Sequence, residues 1–243
     1  MCSLDLKSFY FHIKTNRKYR RYLAFRALGK LYRFRAACFG VSSLPRIATM
    51  LTKPIMRCLH QQNIRCSIYL DDLIIVANSK TQCRTNVRTA QRLFESLGFE
   101  INYKKSVFNP TQRLVYLGMT VDSSQDRFSL SAPQTKLAAL RKEAKKTRLQ
   151  HLNKKLTVRQ LARLTGKVTS LMPAIPAAAF RRHSLERCKN YGLKTSGKGM
   201  SNYDVPVSLS RTALRDCKWL EHISHKTTRT WQHLRPPKAD ATL

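Results

Sequence analysis

The run RCSIYLDDLIIVAN, Arg65 to Asn78, places two adjacent carboxylates, Asp71 and Asp72, inside an apolar, β-rich stretch. Two ionised carboxylates in such surroundings are costly, because each loses hydration and each repels the other. A divalent cation removes both costs. Hard oxygen ligands of this kind suit Mg²⁺, which takes one or two protein carboxylates and completes its shell with water and substrate phosphates. Mn²⁺ would serve in the same place. The spacing fits a tight turn between strands, SIYL entering and LIIVA leaving, with the carboxylates at the tip. A third carboxylate is then wanted on a neighbouring strand, and between Met1 and Phe94 the acidic residues are Asp5, Asp71 and Asp72 alone. Asp5 lies in CSLDLKSFYFHI, whose alternating apolar residues predict a strand able to lie beside the hairpin. Taken singly, Asp5 reads equally as a frayed terminal residue and the acid pair as an ordinary turn.

The chain around these acids is strongly basic. Its 243 residues carry 46 Lys plus Arg against 13 Asp plus Glu, a formal net charge of +33, and 42% are hydrophobic. That is enough apolar material for one large or two small cores, which excludes a disordered chain. The matching partner is a polyanion, RNA or DNA, since neutralised phosphates release counterions. A solvated basic face or an anionic membrane surface is the alternative. Seven cysteines, an odd number with no CxxC pair, read as reduced thiols. His222 and His225 form an HxxH pair near Cys217 without a second ligand pair, so they read as surface residues. No apolar run of membrane-spanning length and no signal peptide is present, so the protein is expected to be intracellular, in cytoplasm or nucleus, with no membrane partner.

The pattern changes near residue 130. Before it, RRYLAFRALGKLYRFRAACF predicts a hairpin around Gly29-Lys30, with Tyr32, Phe34 and Ala36 opposed to Arg33 and Arg35. Pro45 suits the first turn of a helix kinked near Pro54, and Thr81 to Leu97 predicts a second helix with Val87, Ala90, Phe94 and Leu97 on one stripe, closed by Gly98. RLVYLGMTVDS and RFSLS predict another hairpin across SQD. After residue 130 the pattern is helical: Pro133 opens QTKLAALRKEAKKTRL, and Thr157 caps a helix with Leu161, Leu164, Val168 and Leu171 on one face. The residues after Lys194 read as linker, and SRTALRDCKWLEHI as a short amphipathic segment.

LDLKSFYFHI, FGVSSLP, YLDD, LGFEINYKKS and YLGM follow one another in the order and approximate spacing of reverse-transcriptase palm motifs. The chain resembles that family, and most closely the polymerases of DIRS-type, tyrosine-recombinase retrotransposons. Those carry a similar DLKxAYFHI, an FGLSSAPR form of the second motif, and a basic RQLARLxGKxxS helix that here reads RQLARLTGKVTS. The resemblance runs from about residue 2 to 220. It implies an α+β fold: a right-hand polymerase palm of antiparallel sheet and packed helices over residues 1–130, and a helical thumb over 131–195. A linker and the start of a connection segment, partly disordered, would occupy 196–243. The fingers, which precede the first motif in relatives, are expected to be largely absent.

Carried across residue by residue, the resemblance implies an RNA-directed DNA polymerase working by two-metal phosphoryl transfer with Mg²⁺ or Mn²⁺, deoxynucleoside triphosphates and a primed RNA or DNA template. Asp5 and Asp71 would be metal ligands, with Asp72 completing the cluster. Tyr10 matches the aromatic that crowds the sugar 2′ position, and Phe39 and Gly40 line the nucleotide, Phe39 standing where many retroviral enzymes carry glutamine. Lys105 matches the lysine that approaches the triphosphate. Tyr116, Leu117, Gly118 and Met119 resemble the primer grip, and Arg159 and Arg163 are phosphate contacts. Tyr10 and Phe39 are also compatible with plain sheet core, and the two arginines with a solvated face. Ser8 and Phe9 depart from the acid and small residue usual in relatives, which predicts disturbed packing beside the catalytic strand. HLRPPKADATL offers no counterpart to an RNase H acidic cluster. The second reading is a catalytically inactive retroelement remnant that binds nucleic acid without sequence preference.

Overall fold

Apolar and polar residues alternate along Cys2–Asp5, Arg65–Tyr69 and Asp72–Val76, the pattern of strands that bury one face. In the computed structural model, which describes residues 1–124, 127–195, 202–223 and 229–233, they form one antiparallel sheet. The chain divides into two units, Met1–Tyr116 and Leu117–Leu243. The first contains β1 (Cys2–Asp5), β2 (Ala24–Ala27), β3 (Lys30–Arg33), α1 (Leu44–Gln61), β4 (Arg65–Tyr69), β5 (Asp72–Val76), α2 (Lys80–Ser96) and β6 (Arg113–Tyr116). The sheet order is β1-β5-β4. Cys2, Leu4, Leu73 and Ile75 share one face and are buried with Ala48 and Leu59 of α1 and Val87, Ala90 and Phe94 of α2. A slip of one residue would turn every one of these side chains outward, so the apolar face fixes the register.

Four features of this unit differ from expectation. The strand in CSLDLKSFYFHI stops at Asp5, because Ser8 takes a left-handed conformation (φ 52°) and Phe9–His12 coils into a 3₁₀ turn. The β2–β3 turn is centred on Leu28 and Gly29, both at positive φ (51° and 73°), one residue earlier than read from sequence. That is the primed geometry whose twist suits a two-residue hairpin. Phe9 itself is buried and packs on Phe99 with ring centroids 5.8 Å apart, so the bulky residue is accommodated. Leu97, expected on the buried stripe of α2, caps the helix and is exposed.

The second unit holds β7 (Met119–Asp122), β8 (Arg127–Ser131), α3 (Gln134–Leu152), α4 (Val158–Leu171), α5 (Pro176–Thr195), α6 (Arg211–Glu221) and β9 (Arg229–His233). β7 and β9 flank β8, both antiparallel to it. Thr157 and Gln160 form a reciprocal capping box at the start of α4, satisfying two otherwise orphaned backbone N–H groups. Leu161, Leu164, Val168 and Leu171 are fully buried on the face the sequence indicates. Ion pairs with buried carboxylates tie α6 to its neighbours: Arg148 of α3 to Glu221 at 2.5 Å, and Arg181 of α5 to Asp216 at 2.8 Å. His225, residues 196–201 of the linker reading, and Gln125-Asp126 of the SQD turn lie outside the described residues, as do 234–243 of the HLRPPKADATL segment.

Candidate active site

Alternation along the strands decides which side chains leave the core. With Leu4 and Leu73 paired inward, the next register pair, Asp5 and Asp72, stands on the opposite face of the sheet. Tyr69 of β4 pairs with Asp72 from the other side. Between Tyr69 and Asp72 the chain turns on Leu70 and Asp71, with Leu70 at φ 57°. A branched side chain in that region carries backbone strain of about 1–3 kcal/mol, which persists because the flanking ladder over-determines the turn. The Asp71 carbonyl accepts the Leu6 N–H at 2.9 Å, tying the turn to the end of β1.

The three aspartates therefore come from two elements brought into register. The pairing sets Asp72, rather than Asp71, opposite Asp5. Burial pushes the Asp72 carboxyl above the usual carboxylate range, the negative charges of Asp71 and Asp5 add to the shift, and Lys105 opposes it. Among the described residues no group of three His, Cys, Asp or Glu side chains is arranged to hold a metal ion. The donor set is a facing pair of carboxylates with a neighbour at the turn. That suits a hydrated Mg²⁺ or Mn²⁺ keeping several waters better than an all-protein cage.

The free edge of β1 is covered by residues 100–107. Asn102 N–H donates to the Asp5 carbonyl at 2.8 Å, and Val107 N–H to the Ser3 carbonyl at 2.8 Å. This path carries Lys105 to the site, its Nζ 3.9 Å from Asp5 Oδ2; the lysine side chain is 71% exposed and that of Asp5 16%. At that distance the pair is loose and the ammonium is free to move toward an anion. Ser106, which the sequence reading passes over, accepts the Asp5 N–H at 3.0 Å and donates to the Asn102 carbonyl at 2.8 Å. Its position directly after Lys105 in NYKKS was the available signal.

Tyr10 and Phe39 also meet. Their rings pack edge to face with centroids 5.5 Å apart, and Phe39 is 76% exposed. Gly40, at φ 95°, has open space where a Cβ would stand. Tyr116 donates its hydroxyl to the Asp72 carbonyl at 3.1 Å, and burial, with Asp72 adding, pushes its pKa up to about 12. Leu117 and Gly118 follow at positive φ (47° and 74°), and the Lys136 ammonium occupies the space a Cβ on Gly118 would need. Met119 is buried in the core of the second unit. Arg159 is engaged by Asp204 through two hydrogen bonds of 2.6 and 2.9 Å, whereas Arg163 is exposed on the same helix.

Residues 1–121 match the family model described as reverse transcriptase (RNA-dependent DNA polymerase). No curated protein matches the chain. Among solved structures it is similar to a foamy viral protease-reverse transcriptase dRH in complex with double-stranded DNA, at 14% identity and TM-score 0.65, over 92% of this chain and 35% of that one. Foamy viral protease-reverse transcriptase with double-stranded DNA gives 14% identity and TM-score 0.64, over 98% and 44%. The same protein with an RNA/DNA hybrid gives 13% and 0.60, over 90% and 26%. The chain thus has the fold of a reverse-transcriptase polymerase domain and spans less than half the length of these structures.

Proposed function

We propose that this chain is the palm, residues 1–130, and thumb, residues 131–195, of an RNA-directed DNA polymerase from a retrotransposon of the DIRS type. The observation that carries the reading is the convergence of Asp5, Asp71, Asp72 and Lys105 at the edge of a sheet within a region that matches the reverse-transcriptase family model. The motifs DLKSFYFHI and FGVSSLP, with RQLARLTGKVTS, support the DIRS-type assignment.

Asp5, Asp71 and Asp72 hold Mg²⁺ or Mn²⁺, which when bound supplies charge neutralisation for the triphosphate and a more acidic primer 3′-hydroxyl. The chain's own residues do the positioning. Tyr10, backed by Phe39, presents a ring edge to the sugar, and Gly40 lets the backbone approach the nucleotide. Lys105 leaves Asp5 for the triphosphate and gives a proton to the departing pyrophosphate. The Tyr116 hydroxyl holds the backbone of the YLDD turn while Leu117 and Gly118 meet the primer and Met119 anchors the motif in the core beneath them. Arg163, and Arg159 once released from Asp204, contact backbone phosphates of the primer–template. Foamy viral relatives have been seen with double-stranded DNA and with an RNA/DNA hybrid, which supports a primed nucleic acid as the partner here.

Incorporation of deoxynucleotides into a primer on an RNA template tests the proposal. Extension in Mg²⁺ or Mn²⁺ that is lost in Asp71→Asn/Asp72→Asn supports it. Absence of extension by folded wild type that still binds primer–template would overturn the catalytic reading and leave a nucleic-acid-binding remnant.

A further inference from the structure

Helix α5 carries a stripe of solvent-facing residues that the polymerase reading does not use. Phe180, His183, Arg187 and Tyr191 follow at helical spacing, and all four are exposed, Phe180 to 83% and Tyr191 to 71%. Tyr191 lies eleven positions after Phe180, three turns of helix, so the two rings lie on one face about 16 Å apart. The stripe forms one wall of a groove of about 720 Å³ whose other wall is the segment entering α6, with Ser208, Ser210 and Thr212. That second wall is held in place: Leu209 N–H donates to His151 Nδ1 at 3.2 Å, and Ser210 N–H to Cys188 Sγ at 3.4 Å. The acid in the groove, Asp216, is buried and already neutralised by Arg181 at 2.8 Å, with the Ser184 hydroxyl donating to it at 2.5 Å. Glu186 is bound by Arg182 and Lys189.

We propose that this groove is a binding site for an unpaired nucleic-acid strand. Two exposed rings on the wall of one groove, with a cation between them, are surfaces on which bases can stack. The rings are separated along the axis and cannot stack on one another, so they offer two platforms to two bases of one strand. The platforms are too far apart for neighbouring nucleotides and take bases with at least one nucleotide between them; Arg187, between the rings, contacts one of the intervening phosphates, and the serine and threonine hydroxyls of the facing wall donate to sugar and phosphate oxygens. Two aromatic rings with a cation between them along a groove, with its acid neutralised, match the stacking-plus-phosphate mode of single-strand recognition, which tolerates any base. Charge selects this occupant: a chain of +33 repels a second copy of itself and attracts a polyanion. The site does not depend on the carboxylates and is tested without catalysis.

The experiment measures affinity of the full chain for a labelled single-stranded oligonucleotide and for a blunt duplex of equal length, at several salt concentrations. Phe180→Ala/Tyr191→Ala is expected to weaken single-strand binding by about 10-fold or more and to leave duplex binding unchanged. Arg187→Ala should reduce the single-strand salt slope by about 0.7. All three side chains are exposed, so the variants should melt with the wild type. As an independent readout, photocrosslinking of a bromouracil-containing oligonucleotide should map to α5. Equal losses for single strand and duplex, no loss for either, or a crosslink elsewhere would overturn the proposal. Self-association that Phe180→Ala abolishes at unchanged oligonucleotide affinity would overturn it too, by assigning the face to a protein contact.

Discussion

Asp72 sits between opposing demands. In the proposed site it would share a cation with Asp5, its register partner, yet burial and two neighbouring carboxylates disfavour its charge. A carboxyl whose pKa is raised in the folded state weakens the fold progressively as the pH climbs from the ordinary carboxylate pKa through the raised value, and fully above it, because the charged form is the one disfavoured. The penalty is present at neutral pH and disappears as the pH falls and Asp72 protonates. Asp72→Asn should therefore raise the metal-free melting temperature near pH 7, and the gain should vanish in acid below the ordinary carboxylate pKa, where the side chain is protonated in folded and unfolded chains alike. A neutral-pH melting temperature that falls in the variant would show that the carboxylate is held by favourable contacts instead. Tyr116 shows the same economy, since one hydroxyl secures the backbone on which Asp72 is mounted.

Elements were legible where periodicity and local chemistry agreed. α4 is the clearest case: Thr157 opens it, its four leucine and valine positions fall inward, and the capping box closes its first turn. Thr157→Ala should cost about 1 kcal/mol, measured by urea unfolding, whereas Thr157→Ser should cost almost nothing because the accepting oxygen is kept. Equal losses in both would mean that the threonine methyl, not the cap, matters. α5 had no such signature, because its apolar residues are spread round the helix and two of its aromatics face water. β1 was read too long because the alternation continues past Asp5, whereas the left-handed backbone at Ser8 ends the strand. The acidic trio was legible from scarcity alone in a basic stretch. The pairing of Asp5 with Asp72 was not, because register depends on which leucines meet in the core.

At the scale of the whole molecule, charge dominates. With +33 formal charges and its described acids mostly engaged by bases, the surface should gather phosphates without reading bases. Log affinity for a primer–template should fall linearly with log salt, by about 0.9 for each duplex phosphate neutralised; an affinity insensitive to salt would rule out that mode. Stability of the whole fold also reports on the carboxylates, because a ligand that binds the native state raises its melting temperature. The most direct test of the claim that the aspartates form one divalent-metal site is a melting curve with and without saturating Mg²⁺ or Mn²⁺, for wild type and Asp71→Asn/Asp72→Asn. The account predicts a rise of about 3 °C or more in the wild type and none in the variant. An equal rise in both, or none in either, would contradict it.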